Sequence, residues 1–231
     1  MGLNLYARIE EFLDFEEEVR RLHKEFLSIL FHKQQNNILD IGCGQGAFLQ
    51  HLKFNDVQAF GIDLSSEQIK HCKEKGLEAS CTALKDVKEK YDCATAIFDV
   101  INYIPPKEIP TFFNEANLVL NQGGYFIFDV NSLFGFEDIA QGSLNINLED
   151  KFIAIDAVFE DEKLTTDITL FSLSKNGLFK KEQDFIVQFY HKLAFLKKAL
   201  NDAHFEIEEI KNFNLHSFDE ADKLIFVCKK K

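Results

Sequence analysis

Apolar positions along this chain follow two rhythms, and the change from one to the other divides it. Up to Asn131, short apolar runs alternate with stretches that repeat every three or four residues. Val19, Leu22, Phe26, Leu27 and Leu30 recur at helical spacing up to Phe31, behind a start signal at Asp14 and Glu17. Residues 37–41 are a short apolar run before glycines, which predicts a buried strand, and 45–54 follow as a helix with Ala47, Phe48 and Leu52 inward. Residues 57–63 read as a second strand. Ser65 and Gln68 form a capping box for the next helix, which Gly76 closes. Residues 77–81 and 91–98 are the third and fourth strands. Pro110 suits the first turn of a helix running to about Leu120, and Gly123-Gly124 then turns the chain into a fifth strand, 125–130.

After Asn131 the period falls to two. "KFIAIDAVFED", "KLTTDITLFSLS" and "GLFKKEQDFIVQFY", with turn signals near Asp161 and at Asn176-Gly177, predict an antiparallel meander of about three strands. Leu193, Leu196 and Leu200 mark a last helix, and "HFEIEEI" and "KLIFVCK" finish as strands. No repeat, low-complexity segment or flexible linker interrupts the chain. It is therefore read as one domain, 1–231, with an antiparallel β cap, 133–190, inserted after the fifth strand. Alternating strand and helix mean an α/β fold whose parallel sheet is covered on both faces. Ligands bind such sheets beyond the carboxyl ends of the strands, where "DIGCGQG", Asp63, Asp99 and Asp129 all fall.

Composition narrows the function more than the fold. The chain has 26 basic and 38 acidic residues, a net charge of −12, and a phosphate backbone would be repelled. Nucleic acid is thus not an expected partner. The N-terminal stretch is too acidic for a signal peptide or a membrane span, and the five scattered cysteines never form a C-x-x-C pair. These features favour a reduced cytoplasm and argue against a metal cage. The 25 phenylalanines either fill a core or wall an apolar pocket.

Gly42, Gly44 and Gly46 follow the first strand directly. Bare backbone there lets a ligand lie against the chain and leaves free N–H groups at a helix start. The spacing is G-x-G-x-G and not the G-x-G-x-x-G of dinucleotide folds, and Asp40 would sit badly beside a pyrophosphate. An acid there suits a ligand carrying an ammonium and a sulfonium, and Asp63 ends the second strand where a carboxylate can accept from ribose hydroxyls. "ILDIGCGQG" resembles the first motif of class I S-adenosylmethionine-dependent methyltransferases. "GIDLS", "YDCATAIFDVINYIP" and "LVLNQGGYFIFDVNS" resemble their later motifs in the same order. The resemblance implies a Rossmann-like seven-stranded methyltransferase fold of order 3-2-1-4-5-7-6, with strand seven antiparallel, and S-adenosylmethionine as cofactor.

Residue by residue, it implies that Asp40 faces the methionine ammonium and that Gly42, Cys43 and Gly44 pass beneath the cofactor. Asp63 would hold the ribose from a solvent-facing strand end, and Leu64 would lie against the adenine. Thr82, Ala83 and Leu84 stand where the family contacts the adenine edge, without its usual acid. Phe98 and Asp99 would border the methionine part, and Tyr6 the cofactor carboxylate. The loop 99–106 lacks the [N/D]-P-P-Y order of adenine and glutamine methyltransferases, and no cysteine stands as a cytosine C5 nucleophile. A small-molecule acceptor remains, with Tyr103 and Asn131 as positioning groups and His191 as a candidate base. Aminopropyl transfer, a protein or RNA acceptor, and a non-catalytic binding module stay open as alternatives. At "DAHFEI" the family commonly has Ala-Gly-Phe, so His204 implies a different helix end.

Overall fold

Eleven strands and six α-helices, with four short helical turns between them, are the elements of the computed structural model, which describes residues 2–13, 15–216 and 220–231. The start signal read at Asp14 lies outside the described residues; the helix itself begins at Glu16. In order the elements are α1 (Leu3–Ile9), α2 (Glu16–His32), β1 (Asn37–Ile41), α3 (Ala47–Phe54), β2 (Gln58–Asp63) and α4 (Ser66–Glu74). Then come β3 (Ala79–Cys81), β4 (Tyr91–Ala96), α5 (Ile109–Leu118), β5 (Leu120–Asn131), β6 (Gly142–Asn147), β7 (Lys151–Glu160), β8 (Lys163–Leu173) and β9 (Phe179–Phe189). The chain closes with α6 (Leu193–Asp202), β10 (Phe205–Phe213) and β11 (Lys223–Lys230).

The first sheet has seven strands in the order β10-β11-β5-β4-β1-β2-β3. Strands β1 to β5 run parallel, and β11 is antiparallel to both β5 and β10. This is the order 3-2-1-4-5-7-6, with β10 and β11 as its sixth and seventh strands. Its short central strands are buried on both sides, as parallel strands under crossover helices must be. On one face Leu22, Phe26, Phe48 and Leu52 pack on Ile127 and Val227. On the other, α5 and α6 bring Phe113, Leu196 and Leu200 onto Phe126, Phe128 and Phe226. There Phe128 stacks on Phe126 at 4.8 Å and on Phe226 at 4.7 Å between ring centroids. These phenylalanines are core filling.

Three local readings are corrected. Strand β5 begins at Leu120, ahead of the glycine pair, and Gly123 (φ +75) sits where its register with β4 shifts. Ser65 caps α4 by accepting from the Gln68 N–H at 3.3 Å, but its own N–H is taken by Asp63 and the box does not close. His204 takes φ +62, so α6 ends in the left-handed residue that glycine usually supplies.

The meander after β5 has four antiparallel strands, β6-β7-β8-β9, one more than expected. Strand β6 is a largely exposed edge strand whose only apolar residues are Leu144 and Ile146. The inner face of this second sheet covers α1: Ile153, Ile168 and Leu170 pack on Leu5 and Ile9. Gly2 N–H donates to the Phe185 carbonyl (3.1 Å), and Asn102 Nδ2 donates to the Phe189 carbonyl (2.9 Å). The second sheet thus grips both α1 and the turn at 100–103, the two segments above the carboxyl ends of β1 and β4.

Replacing Phe128 with Ala should remove the centre of the aromatic stack and leave a cavity between β5, β11 and α5. The expected loss, read from urea unfolding, is about 3–5 kcal/mol with a two-state transition retained.

Candidate active site

The segment after β1 turns at Gly42 (φ +71), Gly44 (φ +52) and Gly46 (φ +79), conformations that residues with a side chain rarely adopt. Glycine is needed twice over at Gly42, where a Cβ would stand 2.6 Å from Val100 Cγ2. At Gly44 the same construction meets no atom within 4 Å, so the loop presents bare backbone to open space. The Gly42 and Cys43 N–H groups donate to the Ile62 carbonyl at 2.8 and 3.0 Å, which ties the turn to β2.

Asp63, at the end of β2, completes the tie. One carboxylate oxygen accepts from Gly44 N–H (3.0 Å) and the other from Ser65 N–H (2.8 Å). Its role as a free, solvent-facing acid is therefore corrected: it already holds the glycine loop and the start of α4. Each oxygen keeps a second lone pair for a ligand hydroxyl. Leu64, next in the chain, is 68% exposed, an apolar side chain standing free at the site. Thr82 donates its N–H to the Asp63 carbonyl at 3.1 Å. Leu84 turns its side chain into the core, so from the 82–84 segment it can offer a ligand only backbone.

Asp40 is 2% exposed and accepts from Thr95 Oγ1 at 2.8 Å. Burial pushes its carboxyl up to about 7, with Asp63 adding to the rise and Thr95 opposing it. A buried acid in that condition suits a ligand cation. Over the cleft lies α1, fixed by Asn4 to Ser65 Oγ (2.8 Å) and by Gln45 Nε2 to the Ala7 carbonyl (3.1 Å). Burial raises the Tyr6 and Tyr103 hydroxyls, and Glu10 and Asp99 raise both further. Tyr6, Glu10, Asp99 and Tyr103 thus share one electrostatic environment.

The far wall is the corner after β4. Phe98 (φ +61) and Asp99 (φ +65) are consecutive left-handed residues, a conformation costing roughly 1–2 kcal/mol each. Buried Asp129 holds them, its two oxygens accepting from Phe98 N–H (2.8 Å) and Asp99 N–H (3.3 Å). Lys223, from β11, donates to Asp129 Oδ2 (2.9 Å), to Asn131 Oδ1 (2.9 Å) and to the Asp99 carboxylate. Burial lifts the Asp129 carboxyl to about 6 against the pull of Lys223. Sequence reasoning missed Lys223, whose place at a strand start after an acidic stretch resembles a solvated lysine.

His191 precedes α6 and is buried, with Nε2 against the Ile101 carbonyl at 3.1 Å and Nδ1 without a hydrogen-bond partner. Burial lowers its basicity. Gly44 and Asp40 thus neighbour Asp63, and Glu10 links Asp63 to the group formed by Tyr6, Asp99 and Tyr103. Asn131 lies behind Asp99, and His191 lies behind the turn that carries Tyr103.

The residues present fit the expected cofactor: bare backbone at Gly44, a buried acid awaiting a cation, and a carboxylate with free lone pairs beside an exposed apolar side chain. Residues 38–124 match the family model described as a methyltransferase domain. That stretch runs from β1 into β5 and carries the glycine loop, Asp40, Asp63 and Asp99, so it is a methyltransferase domain that bears the site. It is similar to a protein of Geobacillus sp. (strain WCH70) named as a methyltransferase, at 23% identity over 208 residues, 84% of each chain. In fold it is similar to an S-adenosylmethionine-dependent methyltransferase from Clostridium acetobutylicum ATCC 824, with TM-score 0.78 and 19% identity, covering 98% of this chain and 96% of that one. A sugar N-methyltransferase from Streptoalloteichus sp ATCC 53650 has TM-score 0.75 and 16% identity, covering 99% and 92%. Among the described residues no helix is long and apolar enough to cross a membrane, and no cluster of three metal-binding side chains occurs.

Two predictions follow the carboxylates of this methyltransferase site. Asp63→Ala frees two loop amides as well as a ligand acceptor. It should lower ligand-free stability by about 1–3 kcal/mol and weaken S-adenosylhomocysteine binding by roughly tenfold to a hundredfold, read by unfolding and calorimetry.

Asp40 concerns pH. Its folded value of about 7 lies above the roughly 3.9 of an unfolded aspartate. The folded chain holds a proton there that the unfolded chain has released, so this group's stabilisation is complete below about pH 4 and lost as pH rises through about 7. Binding a ligand ammonium needs the carboxylate, so affinity for S-adenosylhomocysteine should rise with pH through about 7. Asp40→Asn should bind weakly and lose that step.

Proposed function

We propose that this methyltransferase moves a methyl group from S-adenosylmethionine to a small-molecule acceptor in the cytoplasm. The carrying observation is the glycine loop, held open under Asp40 and tied by Asp63, with nothing standing where a Gly44 side chain would be. The acceptor class is supported by the net charge of −12, which disfavours nucleic acid, and by the sugar N-methyltransferase of the same fold. A further support is the second sheet, whose grip on α1 and on the 100–103 turn suits a cap over a small pocket. In this reading 1–231 form one domain and 133–190 form the cap.

When bound, S-adenosylmethionine supplies a methyl carbon on a sulfonium, already activated for in-line displacement. The protein's share is then chiefly orientation and exclusion of water. Asp40 receives the ammonium and Asp63 the ribose hydroxyls, while Gly42, Cys43 and Gly44 form the floor. Tyr6 and the Phe98–Asp99 corner close on the methionine part; Leu64 and the backbone of 82–84 flank the adenine. Tyr103 holds the acceptor, with Asn131 acting from behind through Lys223. His191 can relay a proton only after its turn shifts, because its ring lies behind Ile101. Positioning therefore outweighs proton transfer here.

S-adenosylhomocysteine should raise the melting temperature by several degrees and NADH should not. A shift with NADH alone would sink the reading.

A further inference from the structure

Lys223 opens β11 opposite Asn131 of β5 and is 2% exposed. Its ammonium has three acceptors: Asp129 Oδ2 at 2.9 Å, Asn131 Oδ1 at 2.9 Å and the Asp99 carboxylate. It also lies over the Phe98 ring, 5.7 Å from the centroid. A lysine taken this far from water is retained only where its partners are held as well.

What those partners share is the corner after β4. Asp129 takes the two amides of the corner, and Asp99 is half of it. The corner delivers Val100 against Gly42 on the cofactor side, and the turn that follows carries Tyr103 on the acceptor side. The Asp99 side chain keeps 19% exposure and electrostatic reach to Tyr6 and Tyr103, so it faces the cleft while Lys223 holds it from behind. The bland account is that Lys223 only neutralises Asp129. That account requires no contact to Asp99, Asn131 or Phe98, and all three are made.

We infer that Lys223 is a positioning residue for methyl transfer. It fixes the left-handed Phe98–Asp99 corner that sets the glycine floor and Tyr103 relative to each other. This rests on the methyltransferase reading, and wild-type protein that failed to bind S-adenosylhomocysteine would sink that reading before any variant was made.

The test uses S-adenosylhomocysteine as probe, with affinity and melting temperature measured on the same samples. Lys223→Met alone strands Asp129, so the informative comparison is Lys223→Met/Asp129→Asn against Asp129→Asn, because in both the carboxamide oxygen still accepts from Phe98 while Asp99 N–H loses its acceptor. The double variant should melt within a few degrees of Asp129→Asn and bind at least tenfold more weakly than it does. Lys223→Arg returns a cation to both carboxylates and should recover part of the lost affinity. Asp99→Asn, which leaves the buried pair untouched, should also bind several-fold more weakly at unchanged melting temperature. A double variant that binds as well as Asp129→Asn, or wild-type affinity in Asp99→Asn, would overturn the inference, as would an arginine variant that melts normally yet recovers nothing. If the double variant does not fold, the Asp99→Asn and arginine results decide alone.

Discussion

The site depends on a carboxylate that never meets solvent. Asp129 lies fully buried at the end of β5 and spends both oxygens on consecutive backbone amides. Without that pair of acceptors, two side-chain-bearing residues in a row would not stay left-handed, and β4 would leave the sheet in another direction. The acid itself is tolerated because a buried ammonium stands beside it at 2.9 Å. Removing either partner would strand the other, which makes the pair a specification of geometry more than a source of stability.

A second carboxylate plays the same part across the cleft with different chemistry. Asp63 is half-exposed and joins Gly44 to Ser65, so the loop after β1 and the helix after β2 move as one piece. The two acids bracket the place where a ligand would lie. One side is stiffened by burial and charge compensation, and the other by hydrogen bonds in reach of water. Preorganisation at both walls leaves the protein little to rearrange on binding, apart from α1.

Much of this was legible in the chain because its signals are local. Buried parallel strands, the glycine run after the first of them and acids at strand ends are each short patterns; they gave the α/β class, and the resemblance they carry implied the sheet order that is observed. What escaped was long-range. Asp99 and Asp129 were legible as acids at neighbouring strand ends, but Lys223 carries no local signal, and only the pairing of β11 with β5 brings it to them. Strand β6 escaped because its alternation rests on Leu144 and Ile146 alone, among glycine, serine and asparagines that read equally well as a loop. The left-handed His204 and the unclosed cap at Ser65 escaped for another reason: composition names the residue type that favours a conformation, but a neighbour decides whether it is adopted. At Ser65 that neighbour was Asp63.

The insertion between β5 and β11 has a consequence for how the protein is made. Strand β5 ends at Asn131, and its antiparallel neighbour begins at Lys223. Ninety-two residues separate these register partners, and a whole four-stranded sheet must be synthesised between them. At ordinary ribosomal speeds of about 5–20 residues per second, β5 waits for several seconds with one edge bare. The second sheet pairs only its own consecutive strands and can form during that wait, while the seven-stranded sheet cannot close. Order of emergence thus lets the capping sheet form before the seven-stranded sheet closes, and places the corner that shapes the cleft among the last parts of the molecule to set.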